Sequence, residues 1–225
     1  MVSEQLAHRG IADRQVLAAF NRVLRHLFVP TEHLDTAYED HPLPIGEGQT
    51  ISQPYIVAYM IEQLQLTCSE RPTGSPGGRP ERVPVGSESK GAERVLEIGT
   101  GSGYETALLA ELAGSVYTVE RIKDLSEAAR KRLASLGYKN IFFKVGDGSL
   151  GWKKEMPFDR IIVSAGAPKV PPSLINQLAN NGIMIIPVGD EYFQNLTKVE
   201  KQNNKITQTV LDTCVFVKLI GEEGW

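Results

Sequence analysis

The sequence predicts a doubly wound α/β fold with helices at its N-terminus and an antiparallel hairpin at its C-terminus. Three observations point there. From Arg94 onward, short apolar runs alternate with helix-forming stretches, the pattern of parallel strands joined by crossover helices. The first run, Val95-Leu96-Glu97-Ile98, ends in Gly99-Thr100-Gly101-Ser102-Gly103-Tyr104, and the good helix formers Thr106 to Leu112 follow at once. The second run, Ser115 to Val119, closes on Glu120. Strand, glycine loop, helix, strand and acid make a βαβ nucleotide-binding unit.

The loop narrows the ligand. A dinucleotide fingerprint, G-x-G-x-x-G, needs glycine at 99, 101 and 104, but position 104 is Tyr and the third glycine arrives at 103. No lysine follows in P-loop register. G-x-G-x-G behind an in-strand acid, Glu97, suits a nucleoside without a pyrophosphate. Gly99, Thr100, Gly101, Ser102 and Gly103 are its expected cradle, and Glu120 sits where a carboxylate accepts both ribose hydroxyls. A glycine-rich turn with no ligand is the plain alternative.

Composition sets the bounds. A chain of 225 residues is long enough for one α/β domain with additions. Its formal net charge of −3, from 24 Lys and Arg against 27 Asp and Glu, gives no basic footprint for nucleic acid. No apolar run has the length of a membrane span, and the first residues lack a signal peptide's basic and apolar regions. A cytoplasmic location is expected, with Cys68 and Cys214 as free thiols rather than a disulfide. All four histidines fall within the first 41 residues, with no two at metal-ligand spacing beside a carboxylate, so no metal is assigned.

Taken in order, Asp13 to Leu27 has helical apolar spacing (Val16, Ala19, Phe20, Val23, Leu24, Leu27) with Asp13 as N-cap. Pro30 stops it, and Thr31 to Asp40 has room for a short second helix. Tyr38 to Pro54 is dense in Pro, Gly, hydroxyls and amides and is expected to be a loop. Structureless loops of that length are uncommon unless they bind something, although a plain connecting arm is the alternative. Tyr55 to Leu66 resumes helical spacing. Residues 67–93 are rich in Pro, Gly and Ser, cannot bury a core, and are expected to be a flexible insertion between the segments 1–66 and 94–225 of one compact domain.

Beyond Glu120, Asp124 to Leu136 reads as a crossover helix with Gly137 as its C′ residue, and Asn140 to Val145 as a strand ending in Gly146-Asp147-Gly148. An acid at a strand end faces the ligand crevice or merely turns the chain. Phe158 to Val163 is a fourth strand. The small residues after it, Ser164 to Pro168, leave room for a substrate, with Ala165 and Pro168 as contacts. Pro171-Pro172 opens a helix to Leu178, and Gly182 to Gly189 is a fifth strand. Leu196 to Lys201 and Lys205 to Leu219 read as a hairpin across Asn203-Asn204.

Several of these strings occur together. Phe28-Val29-Pro30, Ala37-Tyr38-Glu39-Asp40, Pro42-Leu43-Pro44-Ile45-Gly46, Gly48-Gln49-Thr50-Ile51-Ser52-Gln53-Pro54 and the Val95–Tyr104 loop resemble, in this order, the protein-L-isoaspartate O-methyltransferases. The similarity spans nearly everything outside residues 68 to about 92, and Gln49–Pro54 is its most specific part. Lys218 stands where the family usually has proline. The resemblance implies a Rossmann-like methyltransferase sheet, S-adenosylmethionine as methyl donor, and S-adenosylhomocysteine as product. The implied acceptor is the free α-carboxyl group of L-isoaspartyl residues in damaged proteins and peptides. It places Asp147 and Gly148 near the adenine, and Ser52 at the active-site serine, with Gln49, Thr50 and Ile51 beside it on the substrate. A monomer is expected.

An isoaspartyl α-carboxyl has a pKa of about 3.5 and is ionised at pH 7, so methyl transfer to it needs alignment rather than a general base. A carboxylate stripped of water needs hydrogen-bond donors, and Ser52, Thr50 and backbone N–H groups are the candidates. Alternatively, Ser52 only caps the helix that starts near Pro54. A methyltransferase for RNA or a small molecule would share Arg94–Asp147 without reason to carry Gln49–Pro54. A dehydrogenase is disfavoured by Tyr104, and a non-catalytic binding protein would lose affinity for adenosylmethionine.

Overall fold

The computed structural model describes residues 1–66 and 93–225. The expectation of a flexible 67–93 insertion, and Cys68 with it, falls almost wholly outside them. Among the described residues, one sheet runs in the order β5-β4-β3-β6-β7-β8-β9. Its strands are β3 (Arg94–Ile98), β4 (Ser115–Glu120), β5 (Ile141–Val145), β6 (Phe158–Val163), β7 (Leu178–Gly189), β8 (Gln194–Gln202) and β9 (Lys205–Cys214). β5 to β7 in that order pair in parallel, whereas β8 and β9 add antiparallel. The doubly wound sheet with a C-terminal hairpin is therefore present as read.

Alternating burial explains the winding. Val95, Ile162 and Ile185 pack with the N-terminal helices on one face, while Leu96, Ile98, Ile161, Val163, Met184 and Ile186 fill the other. Side chains two apart in a strand share a face, so a strand apolar at every position must be covered on both sides. The covering helices are α1 (Arg14–Arg22), α2 (Pro54–Gln63), α3 (Tyr104–Leu112), α4 (Lys123–Ser135) and α5 (Pro172–Gln177). Numbering the strands outward from β3, order reverses between β3 and β6, and a ligand crevice opens at such a point beyond the strands' carboxyl ends.

Several boundaries differ from the sequence reading, each for a tertiary reason. Asp13 caps α1 as expected, its carboxylate accepting from the Gln15 and Val16 N–H groups at 2.7 and 3.2 Å, but the helix stops at Arg22 and not Leu27. The chain swings inward there. Arg25 is fully buried, donates to the Ala37 carbonyl at 2.8 Å and lies 5.0 Å over the Tyr104 ring, and burial lowers its pKa to about 10, leaving it charged at neutral pH. The second helix expected over Thr31–Asp40 shrinks to one turn, Thr31–His33. The presumed loop holds a two-stranded hairpin, β1 (Leu43–Gly46) and β2 (Gln49–Ile51), turning at Glu47 and Gly48 with φ of 54° and 67°. β7 begins at Leu178, four residues before Gly182. β9 ends at Cys214 rather than Leu219, because Val217 and Leu219 exchange backbone hydrogen bonds with Gly166 instead. The Asn203-Asn204 turn is as read, with φ of 50° and 62°, the left-handed pair of a tight hairpin.

Candidate functional site

The glycine loop sits at that reversal of strand order. Gly99, Gly101 and Gly103 have φ of 99°, 49° and 85°, values that side chains rarely adopt, so the loop folds back with its backbone exposed to the crevice. Gly103 then starts α3. Tyr104 explains why the dinucleotide glycine is absent: its ring is buried edge-on against Phe20 and Phe28, with centroids 6.0 and 5.5 Å away. The first turn of α3 is thereby locked to the N-terminal helices, which a glycine could not do.

The hairpin reaches the loop from the opposite side. A Cβ built on Gly101 would lie 3.4 Å from Ile45 Cδ1, so β1 and the loop are in close register. Gln49, Thr50, Ile51 and Ser52 line one wall of a cavity, and Gly99, Thr100, Gly101, Ser102 and Glu120 line the other. Ser52 lies two residues before α2 and makes no hydrogen bond through its hydroxyl to the described residues. It is not the cap. Gln53 occupies the N-cap position without a side-chain bond, and the Tyr55 N–H is met instead by Asp40, fifteen residues back, at 2.8 Å. The plain alternative for Ser52 therefore lacks its hydrogen bond.

Glu120 accepts the Gly101 N–H through one oxygen and the Ile122 N–H through the other, both at 3.0 Å, which fixes the carboxylate at the cavity edge. Each oxygen retains a lone pair for further donors. Thr100 does not face the ligand side with its hydroxyl, which bonds to Thr118. Glu97 is wholly buried on the side of β3 that faces α3, accepting the Thr106 hydroxyl at 2.7 Å. It and Gly103 support the loop from behind. Asp147 is occupied structurally: it accepts the Ser149 N–H and hydroxyl at 2.8 and 2.7 Å and the Glu222 N–H at 2.7 Å. Burial would raise its pKa, but these donors outweigh it and hold the carboxyl below its usual range. Gly148 packs on Ile98, Ala165 is buried, and Pro168 is exposed; none of these three lines the cavity.

Sequence reasoning missed Val57, Tyr104, Glu105, Ser164 and Val217, all of which do. No Lys, Arg or His does so among the described residues, while Glu105 and Glu120 do. A glycine-bared backbone, a ribose-type acceptor and an excess of negative charge fit a nucleoside carrying positive charge, as S-adenosylmethionine does.

The comparisons agree with this geometry. The family model described as protein-L-isoaspartate(D-aspartate) O-methyltransferase matches residues 1–73 and 88–224. The chain belongs to this family. The protein-L-isoaspartate O-methyltransferase of Dictyoglomus turgidum is 50% identical over 222 residues, covering 99% of this chain and 90% of the relative. That of Petrotoga mobilis is 50% identical over 229 residues, covering 100% and 96%. A solved protein-L-isoaspartate O-methyltransferase superimposes with a TM-score of 0.81 at 26% identity, over all of this chain and 67% of that one. A structure from Plasmodium falciparum, described as a methyltransferase of this kind in complex with S-adenosyl-L-homocysteine, gives 0.75 at 26% identity over 97% and 96%.

Proposed function

We propose that this chain transfers a methyl group from S-adenosylmethionine to the free α-carboxyl of L-isoaspartyl residues in damaged proteins and peptides. The backbone nitrogen then attacks the methyl ester and expels methanol to give a succinimide, which water opens toward aspartate. The observation that carries this is the single cavity shared by the Gln49–Ser52 wall and the glycine loop, within a chain of this family.

Bound adenosylmethionine supplies a sulfonium methyl, which is lost by in-line displacement. The protein's part is alignment and desolvation. Glu120 is placed to hold the ribose. Asp147 and Gly148 keep a proposed place near the base because Gly146 N–H donates to the Glu120 carbonyl, so their loop begins one strand beyond the ribose acceptor. Ala165 and Pro168 are retained only as flank contacts of the substrate chain, on a segment that adjoins Ser164. Ser52 donates to the acceptor carboxylate with Thr50 and nearby N–H groups. No general base is required, since the acceptor is already ionised.

The cavity's lining supports a partition into 1–66 for the acceptor side and 94–225 for the donor side, and action as a monomer is part of the proposal. No helix among the described residues is long and apolar enough to cross a membrane. A cytoplasmic location is part of the proposal; its support is the isolated thiols, of which Cys214 is free and raised to about 12 by burial.

Incubation with methyl-labelled adenosylmethionine and an isoaspartyl peptide, beside its aspartyl twin, tests the reading. Base-labile label is expected on the isoaspartyl peptide alone. Label on neither, or on both equally, would remove the assignment.

A further inference from the structure

The Ala37–Asp40 stretch, distinctive in the sequence, does not line the cavity, yet it is tied to the cavity's hairpin wall. Its backbone is pinned from two directions. Arg25 donates to the Ala37 carbonyl at 2.8 Å, and Gln5 Nε2 donates to the Tyr38 carbonyl at 3.0 Å. Asp40 ends the stretch just before β1, with its side chain 18% exposed. Each carboxylate oxygen has its own partner. Oδ1 accepts the Tyr55 N–H at 2.8 Å, and Oδ2 accepts from Arg9 Nη1. The Arg9 guanidinium in turn lies 3.6 Å over the centre of the Tyr55 ring. The carboxylate thus holds the backbone of Tyr55 while its ion-pair partner holds the ring.

We propose that Asp40 is a positioning residue for methyl transfer. It caps α2 in place of a local side chain, leaves the Ser52 hydroxyl free for the acceptor carboxylate, and closes the base of the hairpin so that Ser52 keeps its place in the cavity wall. This rests on the methyltransferase reading above.

Capping and acceptor binding compete for the same kind of hydroxyl, because a short polar side chain at a helix start bonds the first free N–H groups. Pro54 has no N–H, so that of Tyr55 is the first to need a partner. Gln53 has the φ of −58° and ψ of 143° of an ordinary N-cap but makes no side-chain bond. Asp40 fills the gap from a distance, and Ser52 is not drawn into the helix start. The same bond fixes where Ser52 lies. The hairpin ladder ends at the Leu43–Ile51 pair, and the chain is next held at Tyr55. Ser52, Gln53 and Pro54 therefore bridge two anchored points. A shift of about 1 Å at a reacting group can cost roughly 100-fold in rate, so this bracketing acts on turnover. Arg9 and Tyr55 both belong to residues 1–66, apart from the glycine loop, so cofactor affinity is nearly independent of Asp40.

The test measures turnover on an isoaspartyl peptide, S-adenosylhomocysteine affinity by calorimetry, and thermal melting. Asp40→Ala is expected to lower kcat roughly tenfold, with cofactor affinity staying within about threefold of wild type. Asp40→Asn keeps an oxygen for the Tyr55 N–H and is expected to recover kcat to within about threefold of wild type. Gln53→Asp supplies a cap in cis, and Asp40→Ala is repeated on that background. There the melting loss caused by Asp40→Ala should shrink, while its roughly tenfold loss of kcat, relative to Gln53→Asp alone, should remain. A kcat loss that vanishes together with the melting loss would reduce Asp40 to a helix cap and overturn the proposal. So would unchanged kcat in Asp40→Ala, an affinity loss equal to the kcat loss, or an Asp40→Asn as slow as Asp40→Ala. Each of these leaves the wild-type methyltransferase standing. A wild-type protein that does not methylate the isoaspartyl peptide would remove both.

Discussion

The two walls of the cavity are built by different means. The loop wall is fixed by backbone: three glycines at positive φ, a carboxylate tied to two N–H groups, and a tyrosine locking the following helix. The hairpin wall has strands of four and three residues, with Gln49 half-buried and Thr50 exposed. Its link to the loop is the approach of Ile45 to Gly101. A rigid wall suits a small ligand of constant shape, and a thin, polar wall suits a backbone segment of varied sequence. If the division of labour is real, changes in the two walls should separate affinity for the cofactor from turnover of the peptide.

The largest expected effect is on the rigid wall. Glu120→Ala removes the proposed ribose acceptor and loosens Gly101, and S-adenosylhomocysteine affinity is expected to fall roughly 10- to 100-fold, as for hydrogen bonds to a charged group. Calorimetry reads it. Unchanged affinity in a folded variant would take Glu120 out of the site.

Next comes stability. Glu105 titrates near 4.5 when unfolded and near 7 when folded. Between these values the folded state holds the extra proton, so stability contributed by the neutral acid is full below about 4.5 and lost as pH rises to about 7. Glu105→Gln should therefore melt like the wild type at pH 4.5 and several degrees higher at pH 8, a gain on the order of 2–3 kcal/mol. Equal melting at pH 8 would show that the buried acid is not strained.

A smaller effect sharpens the contrast between two strand-end acids. Asp147→Ala loses three hydrogen bonds to the C-terminal turn and its neighbour. It should lower stability by about 2 kcal/mol in thermal melts while costing less cofactor affinity than Glu120→Ala. The reverse ranking would make Asp147 the principal ligand contact.

These contrasts also mark what the sequence disclosed. The loop, α3 and Glu120 were legible because each follows from a local rule: glycine conformation, helix propensity, an acid closing a strand. The β1–β2 hairpin was not, although Gly46-Glu47-Gly48 carried a turn signal, because its strands are too short for alternation to show. Asp40 as the cap of α2, and Arg25 turning inward to end α1, depend on contacts twelve or more residues away. Glu105 reads in sequence as an ordinary acid at a helix start. Only the fold shows that Glu97 lies beneath it and that, among the described residues, no Lys, Arg or His lines the cavity. Small size marks Ala165 in the sequence, but Ser164 next to it, just past the end of β6, lines the cavity instead.

The most direct test of the divided cavity is Ser52, measured two ways. Turnover on an isoaspartyl peptide and affinity for S-adenosylhomocysteine are compared for Ser52→Ala and Ser52→Asn. Turnover is expected to fall by roughly 10- to 100-fold in Ser52→Ala, less than a full oxyanion-type loss because the acceptor's charge falls during reaction. Cofactor affinity should stay within about threefold. Ser52→Asn, an adequate helix cap but a different donor, should not restore turnover. Normal turnover in Ser52→Asn, or an affinity loss matching the turnover loss in Ser52→Ala, would contradict the assignment of the hairpin wall to the acceptor.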